Sequence, residues 1–194
     1  GGLVVIGSYV PKTTQQLTEL LRVTAAGTEA TLFPVELSVP AVLAPARRKA
    51  EIDHASTVIS DTLDAGHDVV LFTSRTLATG DDGTQSLEVG AMISAALVEL
   101  VRSLRKRPAF LVAKGGITSS DLATRALGVR RAMVLGQIVP GVPVWQLGPE
   151  ARFPGMPYIV FPGNVGDLHA LADVYDRMCR RSAVLEPSLT LSNL

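Results

Sequence analysis

The stretch Ala109–Asp121, which reads AFLVAKGGITSSD, decides the fold of this chain. Its first five residues form an apolar run typical of a buried strand, and a Lys-Gly-Gly turn then leads into a helix that we expect to begin near Thr118. A strand that passes at once into a helix is the repeating unit of parallel α/β sheets. Two glycines at such a junction let the backbone approach a ligand without a Cβ in the way.

The same alternation of strand and helix extends in both directions from this stretch. Further strands are predicted at Leu3–Gly7, Leu32–Leu37, Asp68–Thr73, Met133–Val139, Val144–Leu147 and Tyr158–Phe161. Apolar residues at helical spacing lie between them, in the groups Leu17, Leu20 and Leu21; Ile52, Ala55, Ile59 and Leu63; Ile93, Leu97, Leu100, Val101 and Leu104; and Leu168, Leu171, Tyr175 and Met178. We therefore predict an α/β fold with a mostly parallel sheet and helices on both faces.

Two segments of the chain modify this simple alternation. Pro34 interrupts the second strand, which favours a place at the edge of the sheet because proline cannot donate to a neighbouring strand. The segment Pro140–Gly166 contains six prolines and five glycines, and it is predicted to consist of loops and short strands, some of them antiparallel. In the first helix, Thr13 and Gln16 fit a capping box, in which their side chains satisfy the first free N–H groups.

Composition limits the classes of function. The 194 residues carry 18 Lys and Arg against 18 Asp and Glu, so the net charge is zero, which argues against a nucleic-acid partner held by bulk positive charge. Hydrophobic residues make up 47% and charged residues 19%, which excludes a disordered chain. No apolar run reaches the roughly 18 residues that cross a bilayer, and the single cysteine, Cys179, cannot form an internal disulfide. We expect a cytoplasmic protein without a membrane partner.

The bounds of the domain are predicted from where the alternation of strands and helices begins and ends. One domain is predicted over residues 1–182, with a frayed tail over 183–194. The chain opens with Gly1 and Gly2, enters a buried strand at Leu3, and has neither an initiator methionine nor a signal peptide. We expect it to be a piece of a longer protein.

Four unusual sequences follow predicted strands directly. They are Gly7–Ser8, Thr73–Arg75, Lys114–Asp121 and Phe161–Gly166. Ligands of open parallel sheets bind at the carboxyl ends of the strands, where these segments could supply backbone N–H groups and small hydroxyls. The sequence therefore predicts one ligand-binding cleft that these segments share.

The turn in Lys114–Asp121 has two interpretations. The N-terminus of a helix binds phosphate through free N–H groups and the positive end of the helix dipole; alternatively, Thr118 and Asp121 are only a helix cap and its partner. Lys114 is a counter-charge for phosphate or a solvated lysine. The glycines of Phe161–Gly166 similarly form a ligand-binding turn or the corner of a hairpin.

Common catalytic and nucleotide motifs are missing from the sequence. It contains neither the phosphate-binding loop G-x-x-x-x-G-K-[ST] nor the dinucleotide motif G-x-G-x-x-G. Ser8 is a nucleophile or, as we favour, a polar contact at a strand end. Ser74 and Arg75 bind an anion or cap a loop.

Three other groups of polar or reactive side chains have simple explanations. Asp81 and Asp82 could hold Mg²⁺, although a solvated turn is the preferred interpretation. The basic cluster Arg102, Arg105, Lys106 and Arg107 fits a solvated helix end, where positive charge suits the helix dipole. Cys179 is interpreted as a packing residue.

Four motifs in one order carry a resemblance to a known family. They are Gly7-Ser8 with Thr13 and Gln16, then Lys114–Asp121, then Val139–Pro143, then Phe161–Gly166. This series resembles the C-terminal nucleotide-binding domain of the four-carbon acid sugar kinase family, over about residues 3 to 180. Each motif alone is weak, but four in register are specific.

The resemblance implies an ATP- and Mg²⁺-dependent kinase of two domains. An N-terminal domain, a partner outside this sequence, would hold the sugar acid and supply the general base, and self-association stays open. Family contacts to ATP carry over to Ser8, Gly115, Gly116, Ile117, Thr118 and Gly163. Two positions depart from the family: Ile117 stands where many members have an acidic residue, and Val10 where many have a serine.

Two further hypotheses stand beside the kinase. The chain could be a non-catalytic regulatory module that binds a nucleotide or another anion. It could also be a dehydrogenase-type cofactor domain, which the missing G-x-G-x-x-G motif disfavours.

Overall fold

The computed structural model describes residues 1–26, 32–75 and 83–185, with the backbone alone at 83–86 and 181–185. In these ranges one sheet contains β1 (Leu3–Ile6), β2 (Leu32–Leu37), β3 (Asp68–Thr73), β4 (Leu111–Lys114), β5 (Ala132–Val139), β6 (Val142–Leu147) and β7 (Pro157–Phe161). The helices are α1 (Pro11–Ala26), α2 (Val39–Leu43), α3 (Pro45–Asp64), α4 (Gly83–Ser103), α5 (Gly116–Asp121) and α6 (Ala170–Leu185). A π-helical turn over Leu122–Ala126 continues α5.

The strands lie in the order β2-β3-β1-β4-β7-β6-β5. The first five of these are parallel, whereas β6 and β5 run antiparallel to their neighbours. Leu3 at the start of β1 pairs with Val69 on one side and with Leu111 on the other. Strands β1, β4 and β7 are therefore neighbours, and their carboxyl ends meet at one edge of the sheet.

The core lies on both faces of this sheet. Every residue of β1 and of β4 is buried, which explains why these strands are continuous apolar runs rather than alternating ones. Leu3 and Val5 belong to the cluster beneath α3 and α4, and Val4 and Ile6 belong to the cluster beneath α1 and α6. The predicted α/β fold with helices on both faces is confirmed.

The structure also tests the details of the predicted elements. Strand β2, with Pro34, lies at an edge, and the Pro/Gly-rich segment contains the short antiparallel strand β6, as predicted. Helix α2 was not predicted; its N-cap Ser38 accepts a hydrogen bond from the Ala41 N–H at 3.3 Å. The last helix extends to Leu185, and the rest of the predicted tail lies outside the described residues.

The opposite edge strand, β5, is unusually apolar on its surface. Met133, Val134 and Leu135 are all more than half exposed, and β5 has a neighbouring strand, β6, on one side only.

Among the helices of the described ranges, none combines the length and the apolar composition of a bilayer span.

Candidate functional site

The predicted site residues come together at the carboxyl edge of β1, β4 and β7. Ser8 follows β1 and lies between the turn after β4 and the turn after β7: a Cβ placed on Gly115 would be 3.1 Å from the Ser8 Cβ, and one placed on Gly163 would be 3.1 Å from the Ser8 Oγ. A Cβ on Gly7 would collide with the Thr118 hydroxyl. These glycines therefore allow three backbone segments to approach one another within a single cluster.

The turn between β4 and α5 needs glycine at its first position. Gly115 has φ of +120°, a conformation that side chains rarely adopt. Its N–H donates to the Phe161 carbonyl of β7 at 2.8 Å, and its carbonyl accepts from the Ser119 N–H at 2.8 Å. Gly116 is different, because its φ is not positive and an added Cβ would meet no atom within 4 Å. The backbone at Gly116 thus faces open space.

Helix α5 begins at Gly116, two residues before the predicted start. Gly115 is its N-cap and provides no side-chain hydrogen bond, so the interpretation of Thr118 and Asp121 as a cap and its partner is wrong. Asp121 instead accepts hydrogen bonds from the hydroxyl of Ser94 in α4 and from Arg125. The first N–H groups of α5 therefore lack a side-chain cap. Ile117, the second residue of the helix, is 75% exposed.

The loop Pro162–Asp167 is held by side chains from α1. The Thr13 hydroxyl donates to the Gly163 carbonyl at 2.8 Å, and the Gln16 amide donates to the Val165 carbonyl at 3.1 Å and to the Asp167 carbonyl at 2.6 Å. The Lys12 ammonium donates to the Gly166 carbonyl at 3.2 Å. The carbonyls of this loop are therefore turned toward α1.

These contacts overturn the predicted capping box. Helix α1 begins at Pro11, so Thr13 and Gln16 lie inside its first two turns, and both side chains are fully buried. They could be recognised in the sequence only as two polar residues on the apolar side of an amphipathic helix. Their function is to fix the loop, because its carbonyls would otherwise lack partners.

Of the two interpretations of Lys114, the solvated lysine is wrong. It is 0% exposed rather than solvated, because it belongs to β4 and its side chain lies beneath the same loop. Its ammonium donates to the Pro162 carbonyl at 2.8 Å and lies 3.8 Å from the centre of the Phe161 ring. Burial, with a smaller contribution from the charge of Lys12, lowers the pKa of Lys114 to about 7.

Arg75 and Ser74 cap loops at the same edge. The Arg75 guanidinium donates to the Thr73 carbonyl at 2.9 and 2.7 Å and to the Ser8 carbonyl at 2.8 Å. The Ser74 Oγ accepts from the Val39 N–H at 3.1 Å. Of the two interpretations, the loop cap is the one observed, and Arg75 helps to fix the position of Ser8.

The remaining candidates lie elsewhere or outside the described residues. Asp81 and Asp82 fall in the segment that the structure does not describe, and the described residues contain no group of three His, Cys, Asp or Glu side chains that could hold a metal ion. The basic cluster is exposed at the end of α4, as predicted, and Arg105 also pairs with Asp61 and Asp64. Cys179 is partly buried, with its Sγ 3.3 Å from an oxygen of the Asp68 carboxylate.

Comparison with known proteins identifies the family. A family model described as a nucleotide-binding C-terminal domain matches residues 3–171, which is most of the chain. No curated protein is similar enough to count as a match.

Solved structures share the fold at low sequence identity. A Salmonella typhimurium LT2 protein that carries a provisional tRNA synthase name superposes with a TM-score of 0.70 at 19% identity, covering 91% of this chain and 40% of its own. A Haemophilus influenzae protein of family DUF1537 gives 0.66 at 18% identity, with 92% and 40% covered. A Bordetella bronchiseptica DUF1537 protein, a domain-swapped dimer with bound citrate, gives 0.63 at 17% identity, with 89% and 40% covered.

The chain thus spans about 40% of the length of these solved relatives. Because the family model matches well over half of the chain, the chain belongs to the family of nucleotide-binding C-terminal domains, and the predicted resemblance to the C-terminal domain of the four-carbon acid sugar kinases is confirmed.

Proposed function

We propose that this chain is the ATP-binding domain of a kinase that phosphorylates a hydroxyl of a four-carbon, tetronate-like sugar acid. The observation that carries the proposal is the convergence of Ser8, the turn Gly115–Thr118 and Gly163 at the carboxyl edge of three adjacent strands. Open parallel sheets bind their ligands at this edge. The family to which the chain belongs is described as nucleotide-binding.

The geometry of the turns favours phosphate as the bound group. The first N–H groups of α5 lack a side-chain cap, and such groups bind anions. The Ser8 hydroxyl lies beside Gly163 and the Ser8 Cβ beside Gly115, so the hydroxyl can donate a hydrogen bond to the same ligand. Because the net charge of the chain is zero, we propose that these local donors, rather than bulk charge, select the nucleotide.

We propose that Mg²⁺ binds together with the nucleotide. Magnesium ions at kinase sites are bound largely by phosphate oxygens and water, with one or two carboxylates. The described ranges contain no group of three His, Cys, Asp or Glu side chains that could hold a metal ion. We propose that the ion is carried mainly by the phosphates of ATP. The exposed Ile117 at the turn leaves that position without a ligand of its own.

Phosphoryl transfer requires positioning and charge stabilisation more than covalent participation by the protein. We propose that this chain positions the phosphates, while an N-terminal substrate domain binds the sugar acid and provides the base that accepts the proton of the attacking hydroxyl. The chain's span of about 40% of its solved relatives supports such a division.

Calorimetry with ATP and Mg²⁺, and with ADP, tests nucleotide binding. The wild-type chain should bind both, and Gly116→Val should weaken binding by about tenfold or more, the equivalent of about 1.4 kcal/mol, because the new side chain would occupy the open space that faces the ligand. The matched control is Ala65→Val. Ala65 is exposed and lies at the C-terminus of α3, just before the start of β3 and so away from the carboxyl ends of the strands. A folded wild-type sample that binds neither nucleotide at millimolar concentration would rule out the proposal.

Transfer of the phosphoryl group needs a separate assay. The chain, supplied with its substrate domain, should phosphorylate four-carbon sugar acids with ATP. Tight nucleotide binding without any transfer under these conditions would favour the regulatory module instead.

A further inference from the structure

Lys114 is a buried charge that the proposed phosphate contacts do not use. Its side chain is 0% exposed, and its ammonium has a single hydrogen-bond acceptor, the Pro162 carbonyl at 2.8 Å. The face of the Phe161 ring, 3.8 Å away, provides the other favourable contact. An ammonium group has three donors, so this environment satisfies it only in part.

The fold gives this ammonium no opposite charge. Within the described residues no carboxylate forms a salt bridge with Lys114, and the charged side chain that acts on it, Lys12 from α1, has the same sign. The neighbouring residue on β1, Ile6, is apolar. Burying a charge without a partner is strongly unfavourable, so the described residues do little to balance the charge of a protonated Lys114, and burial favours its neutral form.

The loop above Lys114 shows where that charge can enter. The carbonyls of Pro162, Gly163, Val165, Gly166 and Asp167 all accept hydrogen bonds from Lys114, Lys12, Thr13 or Gln16. The N–H groups of Gly163 and Asn164 bond to no acceptor in the parts of the chain that the structure describes. The loop therefore contacts a buried cation through the Pro162 carbonyl, and the next two residues, which are not buried, carry N–H groups without a protein acceptor.

We propose that Lys114 is a positioning residue of the nucleotide site. The negative charge of the bound phosphates, on the other side of the loop Pro162–Asp167, balances the positive charge of its ammonium. This inference rests on the proposed function, because the phosphates are those of the nucleotide. Lys114 acts through the loop rather than by touching the ligand, since its side chain is fully buried.

Nucleotide binding and protonation of Lys114 are then coupled. Without ligand, burial lowers the pKa of Lys114 to about 7, so near pH 8 most of the molecules hold a neutral lysine. Negative charge beyond the loop favours the protonated form and raises this pKa. Binding near pH 8 should therefore take up a proton, and affinity should fall as the pH rises above 7.

The test is calorimetry of ADP binding from pH 6 to pH 9, repeated in buffers with different enthalpies of protonation. The matched variant is Lys114→Met, which retains an unbranched apolar stem against Phe161 and removes the charge. On binding ADP at pH 8, the wild type should take up more protons than the variant, by a fraction of one proton per site. Protonation of the ADP phosphates is the same in both proteins, so it cancels from this difference. Wild-type affinity should fall several-fold more than that of the variant between pH 7 and 9, up to the limit of about tenfold per pH unit for one coupled proton.

The outcomes separate the two proposals. ADP binding by the wild type with no more proton uptake than Lys114→Met overturns the coupling but leaves the nucleotide site intact. A folded wild type that fails to bind ADP overturns both. Should Lys114→Met not fold, Lys114→Gln, which keeps a donor for the Pro162 carbonyl, replaces it, and the wild-type pH profile alone still decides, because pH-independent binding contradicts the coupling.

Discussion

Thr13 shows how a single hydroxyl can shape a site without belonging to it. Its Oγ1 donates to the Gly163 carbonyl at 2.8 Å and lies 3.4 Å from the Ser8 Oγ. Thr13→Val keeps the shape of the side chain and leaves that partly buried carbonyl without its donor. We expect the free energy of unfolding to decrease by about 1 kcal/mol and ADP affinity to fall about fivefold, the same energy expressed as binding. Urea unfolding and calorimetry measure the two effects.

Thr18→Val is the control for this substitution. Thr18 lies on the same helix, is exposed, and donates only to the Thr14 carbonyl one turn earlier at 3.0 Å. It should leave ADP affinity unchanged. Equal losses of affinity in the two variants would contradict a specific role of Thr13 in holding the loop.

At the scale of elements, the turn between β4 and α5 contains one glycine that its conformation requires and one that faces open space. Gly115 has φ of +120°, and an added Cβ would lie 3.1 Å from both the Ser8 Cβ and the Thr118 Oγ1. Gly115→Ala should therefore lower the free energy of unfolding by about 1–3 kcal/mol, the usual cost of a strained backbone conformation. Gly116→Ala should leave stability nearly unchanged, because its Cβ meets no neighbour. Denaturant unfolding of the two variants gives the comparison, and equal stabilities would show that the turn is not strained.

At the scale of the whole molecule, a charged group connects the first helix to the start of the last. The Glu19 carboxylate accepts hydrogen bonds from Arg22 at 2.7 Å and lies 3.0 Å from the His169 ring nitrogen, just before α6. The Arg22 hydrogen bond, with help from His169, lowers the pKa of Glu19 from 4.5 to about 2. A carboxylate with a lowered pKa stabilises the folded protein above its unfolded pKa, and this stabilisation is lost as the pH falls from about 4.5 toward 2.

Glu19→Gln should accordingly reduce the difference in stability between pH 6 and pH 3. Thermal or urea unfolding at the two pH values measures this, with Glu99→Gln, which removes an exposed carboxylate paired with Arg48 at 3.1 Å, as the control for loss of one charge. A wild-type difference no greater than that of Glu19→Gln would contradict this account.

The fold was largely predictable because its evidence is local. Continuous apolar runs predicted β1 and β4 as buried strands, and Pro34 predicted an edge position for β2. The short helix α2 was missed because its five residues are too few to show helical periodicity. The site was predictable only as a set of strand ends, since the rule that ligands bind at carboxyl edges does not state which side chains point inward.

The sequence by itself determined the order of strands and helices along the chain, the two apolar faces of the sheet and the glycine turns. Each of these features depends on residues that lie close together along the chain. Only the tertiary structure decided the places of Thr13 and Gln16, which were interpreted as a capping box. It also decided the place of Lys114, for which a phosphate counter-charge and a solvated lysine were both left open. Thr13 and Gln16 act on carbonyls about 150 residues away, and Lys114 on one 48 residues away. Contacts between such distant residues arise from the packing of α1, β4 and β7, and the local pattern of a sequence does not contain them.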